Sequence, residues 1–296
     1  MSNFSRRDFL KGAAAATVLA GGGAAVPVFA ARKSATDWVQ LGNSGVRVTR
    51  LAFGTGSYGG RVQRELGQEQ FTRLVRHAYD RGIRFFESAE AYREMHGMLA
   101  VALQGIPRDS YRLMTKLRWR DAVNSRATID RFRKELNSDY FDILLLHCVR
   151  THGWPEELQR LRDEFSEAKE KKIILAHGAS CHGLLPLRAF PGNKWLDVAL
   201  LRVNHDGSRM DTIQTESEDK GDVNEVVSRI RQIRAQGTGV IGMKLIGEGR
   251  FNKPEDRDAS LKFVMKLGAV DAVTIGYKSP AEIDEAIERI NTHLNA

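Results

Sequence analysis

The chain has 296 residues, 42% of them hydrophobic and 28% charged, with a formal net charge of +8. This is ordinary globular composition, long enough for one large domain or two small ones. The positive charge forms no Lys/Arg-dense block interleaved with aromatics, which argues against nucleic-acid binding and favours small anionic ligands. Two cysteines, Cys148 and Cys181, are too few for a disulfide scaffold and fall in no CxxC spacing, so no metal centre is expected.

At the N-terminus, Ser5-Arg6-Arg7-Asp8-Phe9-Leu10-Lys11 precedes a mild apolar run from Ala13 to about Val26. Paired arginines before such a run read as a twin-arginine export signal. The run is too short for a permanent anchor, and Gly21-Gly22-Gly23 would break an ordinary helix. Val28-Phe29-Ala30 has the small-x-small pattern cut by signal peptidase. The expected organisation is a signal over 1–30, a polar linker over 31–37 and a folded unit over 38–296. The Tat translocon is the implied partner during export, the periplasm the destination, and a monomer with no stable membrane anchor the expected product.

Beyond the linker, Val39-Gln40-Leu41 and Val46-Arg47-Val48 flank Gly42-Asn43-Ser44-Gly45, which predicts a β-hairpin. Short apolar runs then recur at Leu51–Gly54, Arg84–Ser88, Tyr111–Leu117, Asp142–His147, Ile173–Ala179, Val198–Asn204, Gly239–Leu245 and Val270–Gly276. Helical periodicity fills Glu69–Arg81, Glu94–Leu103, Arg126–Asn137, Glu156–Lys171, Asn224–Gln236, Glu255–Lys266 and Pro280–Asn291. Gly183–Pro191 has room for two turns at most. Continuous apolar runs between helices mark parallel strands buried on both faces. Eight such units predict a (β/α)8 TIM barrel with an N-terminal β-hairpin, whose chemistry sits at the C-terminal strand ends. A Rossmann sheet is disfavoured, because Gly54-Thr55-Gly56-Ser57-Tyr58-Gly59-Gly60 lacks GxGxxG spacing.

Three consecutive strand ends carry Glu87 with Tyr92 shortly after it, then Lys116, then His147. A lysine near a tyrosine hydroxyl favours the phenolate and is expected to lower its pKa. The carboxylate would hold the lysine, and the histidine would orient a carbonyl. His182 and His205 also fall near strand ends. With His147 inward, strand alternation would send Cys148 outward and keep the two cysteines apart.

These residues resemble the aldo-keto reductases, whose Asp, Tyr five positions later, Lys and His fall on Glu87, Tyr92, Lys116 and His147. Leu41-Gly42-Asn43-Ser44-Gly45, Phe53-Gly54-Thr55-Gly56, Gly178-Ala179-Ser180 and Ile275-Gly276-Tyr277-Lys278-Ser279-Pro280 extend the likeness over essentially the whole exported chain. The resemblance implies an oxidoreductase transferring hydride between a nicotinamide cofactor, NADP or NAD, and a small carbonyl, alcohol or sugar-like substrate. Tyr92 would give the proton, Lys116 and Glu87 would tune it, and His147 would bond the substrate oxygen. Cofactor contacts would come from Gly54, Thr55, Ser180, Cys181, Asn204, Lys244, Gly247, Gly249, Lys278 and Ser279.

Departures from the family pattern gather around the cofactor. Glu87 replaces an Asp, Cys181 and Leu200 replace amide side chains, and Val203 replaces a stacking Tyr. Glu282 stands where an Arg often clamps the 2′-phosphate. These changes keep a second reading open, a non-redox carbohydrate-binding or scaffold barrel that has lost its cofactor. Export adds a further expectation: with little free NADPH in the periplasm, a cofactor loaded before export would be recycled within the site.

Overall fold

A computed structural model describes residues 32–119, 124–214 and 219–296; the expected signal lies outside them. The hairpin comes first, pairing β1 (Trp38–Gln40) with β2 (Arg47–Thr49) antiparallel. Eight parallel strands then close into a barrel: β3 (Leu51–Gly54), β4 (Phe85–Glu87), β5 (Arg112–Leu117), β6 (Phe141–Val149), β7 (Ile174–Cys181), β8 (Val198–Arg202), β9 (Gly239–Met243) and β10 (Ala272–Gly276), which returns to β3. Each matches a predicted run to within a few residues, and the helices around them are α1 (Arg61–Arg64), α2 (Gly67–Asp80), α3 (Met95–Leu103), α4 (Ser125–Glu135), α5 (Trp154–Glu157), α6 (Gln159–Glu170), α7 (Leu184–Leu187), α8 (Val223–Ala235), α9 (Pro254–Lys266) and α10 (Pro280–Asn295). The predicted helix over 156–171 is interrupted at Leu158, giving α5 (Trp154–Glu157) and α6 (Gln159–Glu170).

Alternation along the strands sorts the core into two layers. Ala52, Phe85, Met114, Ile143, Leu145, Ala176, Val198, Leu200, Ile241 and Ala272 fill the barrel, while Phe53, Phe86, Leu144, Leu146 and Val273 face the helices. Leu41, Val46 and Val48 of the hairpin join the inner layer and stopper the N-terminal end. Their approach needs Gly42 (φ +48°), where a Cβ would come 2.2 Å from Gly237 O. The stopper leaves the opposite, C-terminal mouth as the open end.

Helix starts follow their capping residues. Asn124 caps α4 (Ser125–Glu135), Asp222 caps α8 (Val223–Ala235), and Ser279 with Pro280 opens α10 (Pro280–Asn295). The stretch read as a linker belongs partly to the folded unit, which runs from Lys33 to Ala296. Ala35 is buried, and its N–H donates to Asn291 Oδ1 at 2.7 Å. Among the described residues no helix is long and apolar enough to cross a membrane.

Candidate active site

Inward register delivers Glu87, Lys116 and His147 from β4, β5 and β6 to the open mouth. Tyr92 arrives from a 3-10 turn, Glu90–Tyr92, directly after β4. Lys116 Nζ is ion-paired to Glu87 and donates to Ser88 O at 2.7 Å. Both partners are almost fully buried, Glu87 at 4% exposure and Lys116 at 1%. Two glycines make the room. A Cβ on Gly54 would meet Thr274 Oγ1 at 2.6 Å and Glu87 Oε2 at 3.1 Å, and one on Gly56 would meet the Tyr92 hydroxyl oxygen at 2.6 Å. The longer Glu is thus accommodated, with Thr274 Oγ1 donating to its second oxygen at 3.4 Å.

Lys116 reaches the face of Tyr92, its ammonium 4.7 Å from the ring centroid. The His147 ring stands edge-on to the same tyrosine, with centroids 5.5 Å apart at 88°. Burial, then the charge of Glu87, pushes the Tyr92 pKa well above its ordinary value. This corrects the expectation that Lys116 lowers it: the lysine charge is spent on Glu87, and the carboxylate opposes a phenolate. Burial also lowers the Lys116 pKa, an effect opposed by Glu87. His147 is held well below the usual histidine range, first by burial and then by Lys116, His182, Arg118 and Arg150. The mouth therefore presents a protonated phenol and a neutral imidazole side by side.

A groove of about 490 Å³ runs from Gly54, Glu87 and Tyr92, past Met243 and Lys244, to Lys278 and Glu282 at the start of α10. Its middle is made by the turn Gly247-Glu248-Gly249, all three residues at positive φ (56°, 54° and 86°). The Glu248 carboxylate is ion-paired to Lys244 and lies 3.7 Å from Arg209 Nε. From the opposite rim, the Tyr58 hydroxyl donates to Glu248 O at 3.1 Å. At the far end, Lys278 N–H donates to Glu282 Oε2 at 2.8 Å, and Arg257 pairs with Glu285 through two contacts of 3.0 and 3.3 Å.

Of the expected cofactor contacts, Gly54, Lys244, Gly249 and Lys278 line this groove. Gly247 lies in its turn, and the hydroxyl of Ser279 accepts Glu282 N–H as the cap of α10. Ser180 faces inward but accepts Cys148 N–H at 2.9 Å. Thr55 gives its hydroxyl to Glu87 O. Neither of these lines the groove, and two others are turned away from it. Cys181 faces the helix layer, its thiol 3.9 Å from Asp211 Oδ2. Asn204 is fully buried, donating to Ser208 O and Lys244 O and accepting from the N–H groups of Asp206 and Gly207, which uses its whole bonding capacity to fold a loop.

Cys148 also departs from simple alternation. A bulge between Leu146 and Val149 puts it at φ +61°, half-buried, with its thiol accepting from Arg150 Nε at 3.4 Å. Val149 takes the outward position instead, and the two cysteines are not joined by a disulfide. Arg202, which the sequence reading passed over, ends β8 two residues after inward Leu200 and lies 3.7 Å from Asp211, only 6% exposed. Period-two counting from Val198 would have found it.

The profile of the aldo/keto reductase family matches residues 50–267. The chain belongs to the aldo/keto reductase family. It is therefore a member of an NAD(P)-dependent oxidoreductase family that typically uses NADPH. Residues 3–23 match the twin-arginine translocation signal sequence, which indicates export across the membrane. Among relatives, the probable aldo-keto reductase 1 of Glycine max is 26% identical over 51% of this reductase, which spans 49% of that protein's length. Aldo-keto reductase AFTS1 of Alternaria alternata is 23% identical, covering 88% of this chain and 77% of its own. The barrel is also similar to a putative aldo-keto reductase from Pseudomonas aeruginosa, with TM-score 0.71 and 19% identity over 89% and 98% of the two chains. An aldo-keto reductase from Klebsiella pneumoniae, solved in complex with NADPH, gives TM-score 0.64 and 14% identity over 86% and 89%.

Proposed function

We propose that this reductase acts in the periplasm on a small carbonyl, alcohol or sugar-like substrate, with Tyr92 as the proton donor and His147 as the group that positions the substrate oxygen. The observation that carries this reading is the pairing of a protonated tyrosine with a neutral histidine, edge-on at 5.5 Å, at the inner end of the groove. A neutral imidazole donates one hydrogen bond to a carbonyl oxygen without competing as an acid. Tyr92 keeps its proton until the oxygen gains negative charge, and then supplies it.

The groove fits a nicotinamide dinucleotide. It is elongated, of ligand-binding size, and open over Gly249, where an added Cβ would meet nothing within 4 Å. Gly54, Lys244, Gly247, Gly249, Lys278 and Ser279 would hold the cofactor along its length. When bound, it would supply or accept two electrons and a hydrogen at the substrate carbon. Lys116 and Glu87 would keep Tyr92 in place and set the field around its hydroxyl. The strap from Tyr58 to the Glu248 carbonyl would slow cofactor loss, which favours a dinucleotide loaded before export and recycled within the site.

Tyr92→Phe tests the assignment. Turnover should fall about 10²- to 10⁴-fold, the usual worth of a general acid, with dinucleotide affinity retained. Unchanged turnover would remove Tyr92 from the chemistry.

A further inference from the structure

The groove's own charges point to the form of the cofactor, an inference that rests on the dinucleotide reading above. Four cations line it, Lys244, Arg257, Lys278 and Arg289, together with the carboxylates Glu248, Glu282 and Glu285, while the fourth carboxylate of the lining, Glu87, is taken by Lys116. The cations are engaged within the protein: Lys244 with Glu248, Lys278 with Glu282, and Arg257 and Arg289 with Glu285.

The far end decides more. The N-terminus of a sixteen-residue helix such as α10 is ordinarily a ready site for a phosphate. Here Ser279 caps the helix and Glu282 turns back over its start. Ser279 Oγ accepts Glu282 N–H at 3.4 Å, and the Glu282 carboxylate reaches back to Lys278 N–H at 2.8 Å. A carboxylate of the chain itself therefore stands beside this helix end. A ribose diol could donate its hydroxyl hydrogens to Glu282. A phosphate on that ribose would meet like charge, with the nearest ammonium, Lys278 Nζ, 3.9 Å from Glu282 and 68% exposed.

We propose that Glu282 makes this reductase select NAD(H) over NADP(H), by accepting from the adenosine ribose diol and repelling a 2′-phosphate. The test is direct titration of the exported, nucleotide-stripped protein with NADH and with NADPH, following ligand fluorescence. The wild type should bind NADH at least about tenfold more tightly, a difference of about 1.4 kcal/mol. Glu282→Gln, which keeps one acceptor but removes the charge, should tighten NADPH several-fold and weaken NADH by a smaller factor. Glu282→Arg should invert the preference.

Tighter NADPH binding by the wild type, or equal affinities, would overturn the inference, and that ratio needs no variant to fold. A ratio unmoved by both substitutions would remove Glu282 from the discrimination. Failure of both dinucleotides to bind is a different outcome: it would bring down the functional reading, and the inference with it.

Discussion

The barrel mouth and the far end of the groove handle charge in opposite ways. At the mouth, Glu87 and Lys116 are sealed from water, 4% and 1% exposed, and neither can lose its partner cheaply. At the far end, Glu282 and Lys278 have side chains 37% and 68% exposed and meet at 3.9 Å, where solvent screens them. The first pair is held in place by neighbours such as Gly54 and Thr274. The second is a loose contact on an adaptable rim. Buried charge at the mouth fixes a geometry for proton transfer, while the rim sets which ligand is welcome.

Substitution of the two lysines would expose this contrast most strongly. Lys116→Met leaves Glu87 buried without its cation and should cost about 3–5 kcal/mol in denaturant unfolding, together with activity. A Lys116→Met, Glu87→Met double variant should recover much of that stability but not the activity. Comparable stability of wild type and Lys116→Met would mean the buried pair is not a fixed element.

A pH series gives the next largest effect. Tyr92 is held well above 10, so reduction should show no alkaline fall before pH 10. A fall centred near pH 8 would mean that the lysine controls the phenol after all. His147 is held well below 6.5, so the unfolded chain takes up its proton first. Its contribution to stability is present above pH 6.5 and is lost as pH falls below that value, which unfolding curves at pH 7 and 5 would show. Lys278→Met should give the smallest effect, under about 1 kcal/mol in stability, as expected for an exposed pair.

The mouth was legible in the sequence because strand alternation fixes which way a side chain points. Once β4, β5 and β6 were placed, Glu87, Lys116 and His147 followed. What alternation could not foresee was the bulge that leaves Cys148 at the mouth, or that burial, with the charge of Glu87 beside it, would drive the Tyr92 pKa upward. The groove was less legible because loops, not strands, build it. Arg209, Lys244 and Glu248 meet through backbones at φ +57°, +62° and +54°, a conformation that non-glycine residues rarely adopt and that no spacing announces. Asn204 had the right residue type beside the right strand, yet its amide is consumed in shaping the loop after β8. Ser279-Pro280 was readable as a helix start. Its consequence for a phosphate needed the position of α10 beside the groove.

The most direct measurement is to purify the protein after native export, release any bound small molecule and identify it by mass spectrometry. A near-stoichiometric nicotinamide dinucleotide, present as NAD(H), is the expected result. Protein that carries none and binds neither NADH nor NADPH on addition would contradict the account at its centre.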